Sequence, residues 1–147
     1  MEQDKIRQQI KTLLTSENLA VLATQNIERP YTSLVAFSFS ENLKEIFFVT
    51  ARATQKYNNL IGHPQVALLV DNRKNTTDDL RDAVATTIIG HADELDKATH
   101  QADATFLLNR HPQLRPFFDQ ESTAFFAVHV SSYIYVCNFG DVTEYHP

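Results

Sequence analysis

The segment from Thr50 to Lys56 carries the side chains that proteins use to bind a phosphate group. Arg52 and Lys56 are two cations four residues apart, and Thr50 and Thr54 supply hydroxyl groups. The apolar run before the segment predicts a strand, and the spacing after Thr54 predicts a helix. A helix N-terminus presents unpaired N–H groups and a partial positive charge, both of which favour a bound anion. These residues therefore predict a phosphate site, although a capped helix with two solvated cations fits the same pattern.

The pattern of apolar residues predicts the elements that place this junction. Helical spacing predicts helices over 4–15, 54–61 and 97–109. Apolar or alternating runs predict strands over 19–24, 31–39, 45–50, 65–70, 84–90 with an extension toward Leu95, 124–130 and 133–137. The last two resemble a hairpin with Ser131-Ser132 as its turn. Both faces of 31–39 carry apolar side chains, which predicts a strand packed on both sides, and 71–79 reads as an exposed loop.

Most of these strands follow one another without a helix between them, which disfavours a parallel sheet. We therefore expect a mainly β (α+β) fold, a nearly closed antiparallel barrel of six to seven strands with helices outside. No repeat or linker interrupts the 147 residues, so a single domain over 1–147 is predicted.

Composition excludes several classes of site. The three glycines, Gly62, Gly90 and Gly140, are far apart, so a dinucleotide-binding glycine turn or a Walker loop is absent. One cysteine, Cys137, allows no internal disulfide and no multi-cysteine metal site. The six histidines show no metal-ligand spacing, so no metal site is predicted.

The charge and the apolar pattern also bear on partners and location. The net charge of -5 argues against a nucleic-acid partner and against a polybasic membrane anchor. The N-terminus lacks an apolar signal core, and no run reaches the roughly 18 apolar residues of a membrane span. We therefore expect a cytoplasmic protein without a nucleic-acid or membrane partner.

Several segments resemble a known family in their order and spacing. They are 21–24, 29–33, 46–50, 52–56, 59–60, 63–69 and 88–95. Together these segments resemble the pyridoxamine 5'-phosphate oxidase-like family of FMN-binding split β-barrels, over a stretch from about Leu19 to Leu95. The resemblance implies a homodimer that binds two FMN molecules at the subunit interface.

The resemblance also implies roles for individual residues. Thr50, Arg52, Thr54 and Lys56 would hold the FMN phosphate, and the backbone of 33–36 would lie along the isoalloxazine ring. Asn72 or Arg73 would reach the flavin or the substrate, with a solvated loop as the alternative. The full set of cofactor-binding residues expected is Ser33, Leu34, Val35, Ala36, Val49, Thr50, Arg52, Thr54, Gln55, Lys56, Asn72 and Arg73.

The function implied is that of an FMN-dependent oxidoreductase. It would move two electrons between a reduced nicotinamide nucleotide and a small-molecule acceptor, and no catalytic residue is identified. The alternative is a carrier or sensor without turnover, holding FMN, haem or a deazaflavin. The stretch 138–147 lacks the Arg-x-His arrangement with which the family's oxidase binds pyridoxal, which argues against oxidation of vitamin B6.

Overall fold

A computed structural model describes residues 2–147, and its centre is one antiparallel sheet of eight strands. The helices are α1 (Glu2–Ser16), α2 (Gln55–Gly62), α3 (Asp79–Asp82), α4 (Gln101–Arg110) and α5 (Arg115–Phe118), with a 3-10 turn at Pro112–Leu114. The strands are β1 (Leu19–Asn26), β2 (Arg29–Ala36), β3 (Ser38–Phe39), β4 (Glu45–Ala51), β5 (Gln65–Asp71), β6 (Ala85–Leu95), β7 (Thr123–Cys137) and β8 (Asp141–Tyr145). Every strand pair is antiparallel, as expected of a split barrel.

The order of the strands bends the sheet back on itself. The sequence of neighbours is β2-β1-β5-β6-β7-β4-β3, and β8 pairs with the second half of β7. Residues 123–129 of β7 pair with β4, and 133–137 pair with β8, so β8 continues the line of β4 along one edge. Strands β2 and β4 lie far apart in this order yet are in contact, so the curled sheet is nearly closed.

Strand β4 is buried on both of its faces because side chains alternate along a strand. Ile46 and Phe48 point into the barrel interior, where Phe48 stacks on Phe126 with ring centroids 5.5 Å apart. Phe47 and Val49 point outward into a second cluster, formed with α4 and α5. The strand that leads into the predicted phosphate site is therefore held firmly in place.

Helix α1 covers the barrel with the face that its spacing predicts. Ile6, Ile10, Leu13 and Leu14 are all buried. The end of the helix is fastened by Arg110, whose guanidinium donates to the carbonyl groups of residues 14, 15 and 17 and stacks on two aromatic rings. Burial lowers the pKa of Arg110.

The expected hairpin at Ser131-Ser132 is wrong: β7 runs unbroken from Thr123 to Cys137. Strand β6 pairs along both halves of it, with a register shift at Ile89 and Gly90 that accommodates Ser131 as a bulge. The Ser131 hydroxyl donates to the Ile89 carbonyl at 3.0 Å. Gly90 is required here, because a Cβ atom would lie 2.4 Å from the carbonyl oxygen of His129.

Strand β2 also differs from its prediction. It ends at Ala36 rather than continuing to residue 39, and β3 follows as a separate short strand. The prediction that this strand packs on both faces is wrong within a single chain. Val35 is buried, but Tyr31 and Leu34 are 43% and 64% exposed. Because β2 ends the order of strands, its second edge has no strand partner among residues 2–147.

Several further elements, α5 and the 3-10 turn among them, were not predicted, or not with their observed bounds. The polar stretch after β5 contains the short helix α3, strand β8 closes the chain, and α4 begins at Gln101 rather than residue 97. Asp79 stabilises the polar stretch that contains α3, because its carboxylate accepts from the N–H groups of residues 74, 75 and 76. Among residues 2–147, no helix is both long and apolar enough to cross a membrane.

Candidate functional site

The junction between β4 and α2 is built by the cap of the helix. Thr54 has extended backbone angles, and its hydroxyl accepts from the N–H of Tyr57 at 3.1 Å while donating to the carbonyl of Ala51 at 2.8 Å. The helix therefore begins at Gln55, one residue after the predicted start, with Thr54 as its N-cap. The cap satisfies one of the N–H groups of the first turn, and a helix start leaves the others without intrahelical partners, directed out of its end along the axis.

Lys56 is a partly buried cation without a carboxylate partner. No Asp or Glu oxygen of residues 2–147 lies within 4.0 Å of its ammonium group. Desolvation lowers the pKa of Lys56, and no opposite charge compensates. An anion at the start of α2 would supply the missing charge, so this position fits a phosphate group on electrostatic grounds.

Arg52, the other predicted phosphate ligand, is already engaged. Its guanidinium donates to a carboxylate oxygen of Glu94 at 2.5 Å and to the Tyr57 hydroxyl at 3.2 Å. Tyr57 in turn donates to the second Glu94 oxygen at 2.7 Å. The hydrogen bond with Glu94 raises the pKa of Arg52 and also that of Tyr57. Arg52 is thus paired with a carboxylate, whereas Lys56 is not paired with any carboxylate of residues 2–147.

Arg52 faces a cleft in which carboxylates outnumber cations. The cleft has a volume of about 500 Å³ and is lined by Arg52, Glu94, Leu95, Asp96, Lys97, Asp119 and Glu121. The Arg52 side chain also donates through Nε to the backbone carbonyl of residue 121. In this arrangement Arg52 turns toward the acidic cleft rather than toward Lys56.

Gln55 begins a chain of hydrogen bonds that leads from the surface into the core. Its amide donates to Asn59 at 2.7 Å, and Asn59 donates to the Thr24 hydroxyl at 3.1 Å. Gln55 and Asn59 also line a cleft of about 240 Å³ against the β1–β2 turn, together with Arg29 and Tyr31. Arg29 was not predicted as a site residue, because 26–30 read only as a turn and nothing local indicates that α2 packs beside it.

The four residues expected along the flavin ring lie at the end of β2. Val35 points into the core and Leu34 points outward. The hydroxyl of Ser33 is buried without a hydrogen-bond partner among residues 2–147. A buried hydroxyl without a partner is unfavourable, so Ser33 has an unused donor and acceptor at this end of the barrel.

The other predicted site residues are dispersed. Val49 packs in the outer cluster with α4, and Thr50 is buried in the barrel at the end of β4. Asn72 closes its loop by accepting from the N–H of Val84 at 2.8 Å, which is a structural contact. Arg73 pairs with Asp71 at 3.0 Å, in a cleft of about 350 Å³ that Leu34 also lines.

The structure thus assembles one part of the predicted set and separates the rest. Arg52, Thr54, Gln55 and Lys56 share the junction, whereas Leu34 and Arg73 share a different cleft. Across residues 2–147, no group of three His, Cys, Asp or Glu side chains could hold a metal ion.

The antiparallel, nearly closed sheet with outer helices is that of a split barrel. The family model described as pyridoxamine 5'-phosphate oxidase matches residues 6–135, so the chain belongs to that family. A search of the curated proteins found no match.

Solved structures resemble the chain at low sequence identity. A heme binding protein from Mycobacterium smegmatis has a TM-score of 0.81 and 18% identity, over 92% of this chain and 55% of that one. HutZ, the heme storage protein from Vibrio cholerae, has a TM-score of 0.73 and 16% identity, over 83% and 87% of the two chains. A FAD-binding protein from Mesorhizobium loti has a TM-score of 0.68 and 15% identity, over 85% and 89%. At these identities the likeness establishes the fold alone.

Proposed function

We propose that the protein binds FMN, with the phosphate at the start of α2, and acts as a flavin-dependent oxidoreductase. One observation carries the proposal: Lys56 is a partly desolvated cation at a helix N-terminus, and no carboxylate of residues 2–147 pairs with it. A phosphate there receives the free N–H groups of the first turn, the helix dipole and the ammonium group together. Each of these contributions is stronger in a partly buried position than in water.

Other residues of the junction support the same ligand. Gln55 donates its amide N–H to Asn59 and lines the cleft beside the β1–β2 turn. Ser33 supplies an unpartnered hydroxyl near the end of β2. The free edge of β2 offers backbone N–H and carbonyl groups, which suit the polar rim of an isoalloxazine ring.

Bound FMN would accept and release two electrons, and the chain would bind, orient and shield it. We propose a reduced nicotinamide nucleotide as the donor and a small molecule as the acceptor. No side chain at the junction is assigned as a general acid or base. Lys56 holds its proton at Nζ, where the phosphate stabilises the charged form.

We also propose that the protein is a homodimer with its cofactor sites at the interface. The outward face of the sheet carries a row of apolar residues in register, since Leu34 pairs with Val21 and Val21 with Leu69. Leu19 and Leu34 are 53% and 64% exposed. An apolar row of this kind, next to an unpaired strand, fits a second copy of the chain.

Haem is a second candidate cofactor, because two of the similar structures are named as heme proteins. Two histidines that could serve as axial ligands, His91 and His129, face each other across β6 and β7 with ring centroids 6.1 Å apart. His129 lies 3.7 Å from Asp93 and is about half exposed. The desolvated, unpaired Lys56 favours the monophosphate of FMN over this alternative.

Titration of the ligand-free protein with FMN and with riboflavin tests the proposal. We expect FMN to bind at least about a hundredfold more tightly, because several charge-assisted bonds to the phosphate contribute roughly 1.5–3 kcal/mol each. The loaded protein should oxidise a reduced nicotinamide nucleotide faster than free FMN does. Equal affinity for both flavins would contradict the phosphate site, and binding without turnover would leave a carrier or sensor.

A further inference from the structure

We propose that Glu94 is an internal competitor for the ligand phosphate. Its carboxylate holds Arg52 in the structure, and an arriving phosphate must exchange with it for that guanidinium. This inference rests on the proposed phosphate site at the start of α2. It adds a residue from β6 that sets the affinity of the site without touching the ligand, and therefore acts as a positioning residue.

The geometry of Arg52 makes the exchange a side-chain movement only. Its backbone N–H is fixed to the carbonyl of Ser122 at 2.8 Å, so the base of the side chain stays in place. Its guanidinium carbon lies 5.7 Å from the centre of the Tyr57 ring, and Tyr57 is in the first turn of α2. The guanidinium therefore lies against a side chain of the first turn of α2, although it faces the acidic cleft. The Arg52 side chain is 42% exposed, so packing does not block its rotation, which also breaks the bond from Nε to the carbonyl of residue 121.

Glu94 does not lose all its partners when Arg52 leaves. Each of its two carboxylate oxygens accepts one hydrogen bond, from Arg52 at 2.5 Å and from Tyr57 at 2.7 Å. After the exchange the Tyr57 hydroxyl still satisfies one oxygen, and the cleft of about 500 Å³ admits water to the other. The cost of separating the pair therefore stays small, as for other ion pairs that remain in contact with solvent.

The surrounding charges hold Arg52 on the acidic side until a dianion competes. Asp96, Asp119 and Glu121 line the same cleft as Glu94, and Lys97 is the only other cation among the residues that line it. A phosphate dianion carries more charge than one carboxylate and accepts a forked pair of bonds from arginine. A neutral ligand cannot drive the exchange. Glu94 thus makes binding depend on the phosphate and keeps Arg52 paired in its absence.

The test is a double-mutant cycle with Kd for FMN as the measured quantity. We expect Glu94→Gln to tighten FMN binding by about fivefold, the scale of a partly exposed ion pair, because Arg52 is then free for the phosphate. Arg52→Ala should weaken FMN binding, and adding Glu94→Gln to that variant should change nothing further. Riboflavin binding should be the same in all four proteins.

Glu121→Gln is the matched control, since it removes one negative charge from the same cleft without releasing the Arg52 side chain. A smaller effect than that of Glu94→Gln supports direct competition. Unchanged or weaker FMN binding in Glu94→Gln overturns the inference. The inference is also overturned if Glu94→Gln still tightens FMN binding in the Arg52→Ala variant. It is overturned as well if Glu121→Gln tightens FMN binding equally. A wild-type protein that does not bind FMN would instead contradict the proposed function, which separates the two failures.

Discussion

Replacing Lys56 by methionine should separate ligand binding from folding. The ammonium group of Lys56 is partly desolvated, and no carboxylate of residues 2–147 pairs with it. Such a charge lowers the stability of the ligand-free fold. Methionine keeps most of the aliphatic length and removes the charge. We therefore expect the Lys56→Met variant to be at least as stable as the wild type and to bind FMN much more weakly.

The size of the binding effect follows from one lost charge-assisted bond. Such a bond contributes about 1.5–3 kcal/mol, which corresponds to a Kd for FMN about 12- to 150-fold higher. Riboflavin has no phosphate and should bind equally to both proteins. Flavin fluorescence titration measures the two affinities, and urea denaturation without ligand measures the free energy of unfolding.

Lys97→Met is the matched control for this substitution. Burial lowers the pKa of Lys97 as well, but its ammonium group donates to the carbonyls of Phe118 at 2.6 Å and Gln120 at 2.9 Å. Removing it should reduce the free energy of unfolding and change FMN affinity far less than Lys56→Met does, because Lys97 lies in the cleft of Glu94 and not at the start of α2. Our reasoning about Lys56 would be refuted by an unchanged Kd for FMN, or by an equal loss of riboflavin affinity.

The pH dependence of FMN binding follows from the same group. The folded-state pKa of Lys56 lies below its ordinary value of 10.5, because burial disfavours the charged form. The charge therefore destabilises the ligand-free fold below that lowered pKa, and the penalty disappears as the pH rises toward 10.5 and beyond. FMN affinity changes with pH in the opposite direction to this stability. It should weaken as the pH rises through the lowered pKa, and the Lys56→Met variant should lack this transition.

Three further predictions concern the fold and the assembly. Arg110→Ala should lower the free energy of unfolding, measured by urea denaturation, by about 2 kcal/mol. The carbonyls at the end of α1 lose their donor, and two aromatic rings lose a stacking partner. An unchanged midpoint of urea denaturation would contradict that role of Arg110. Gly90→Ala should cost about 3 kcal/mol, since the new methyl group meets backbone at the β7 bulge. Gly62→Ala, where nothing lies within 4 Å, is its control, and equal effects would argue against the close approach. Leu34→Asp should convert a dimer to monomers in sedimentation velocity while the circular dichroism stays unchanged; Leu80→Asp, at a position 62% exposed on α3, should not.

Local signals were enough to predict the β4–α2 junction from the sequence. The Thr54 cap and the buried face of α1 depend on residues only a few positions apart, so periodicity and capping preferences identify them. The apolar run of residues 45–50 likewise predicts the strand β4 that leads into the junction.

Contacts between distant residues could not be predicted in the same way. Glu94 lies 42 residues from Arg52, and no local pattern indicates that the two form a pair. The unbroken β7 is explained by its pairing with β6, which overrides the turn preference of two serines. The exposure of Leu34 depends on β2 lying at the edge of the sheet, which is a property of the whole topology.

The absorption spectrum of the purified protein, followed by mass spectrometry of the molecule released on denaturation, tests the central claim most directly. We predict a flavin spectrum and the mass of FMN, either as purified or after loading with FMN and gel filtration. A Soret band with released haem would instead support the haem alternative, and a deazaflavin would be recognised by its mass. A protein that stays colourless after incubation with FMN would contradict the account.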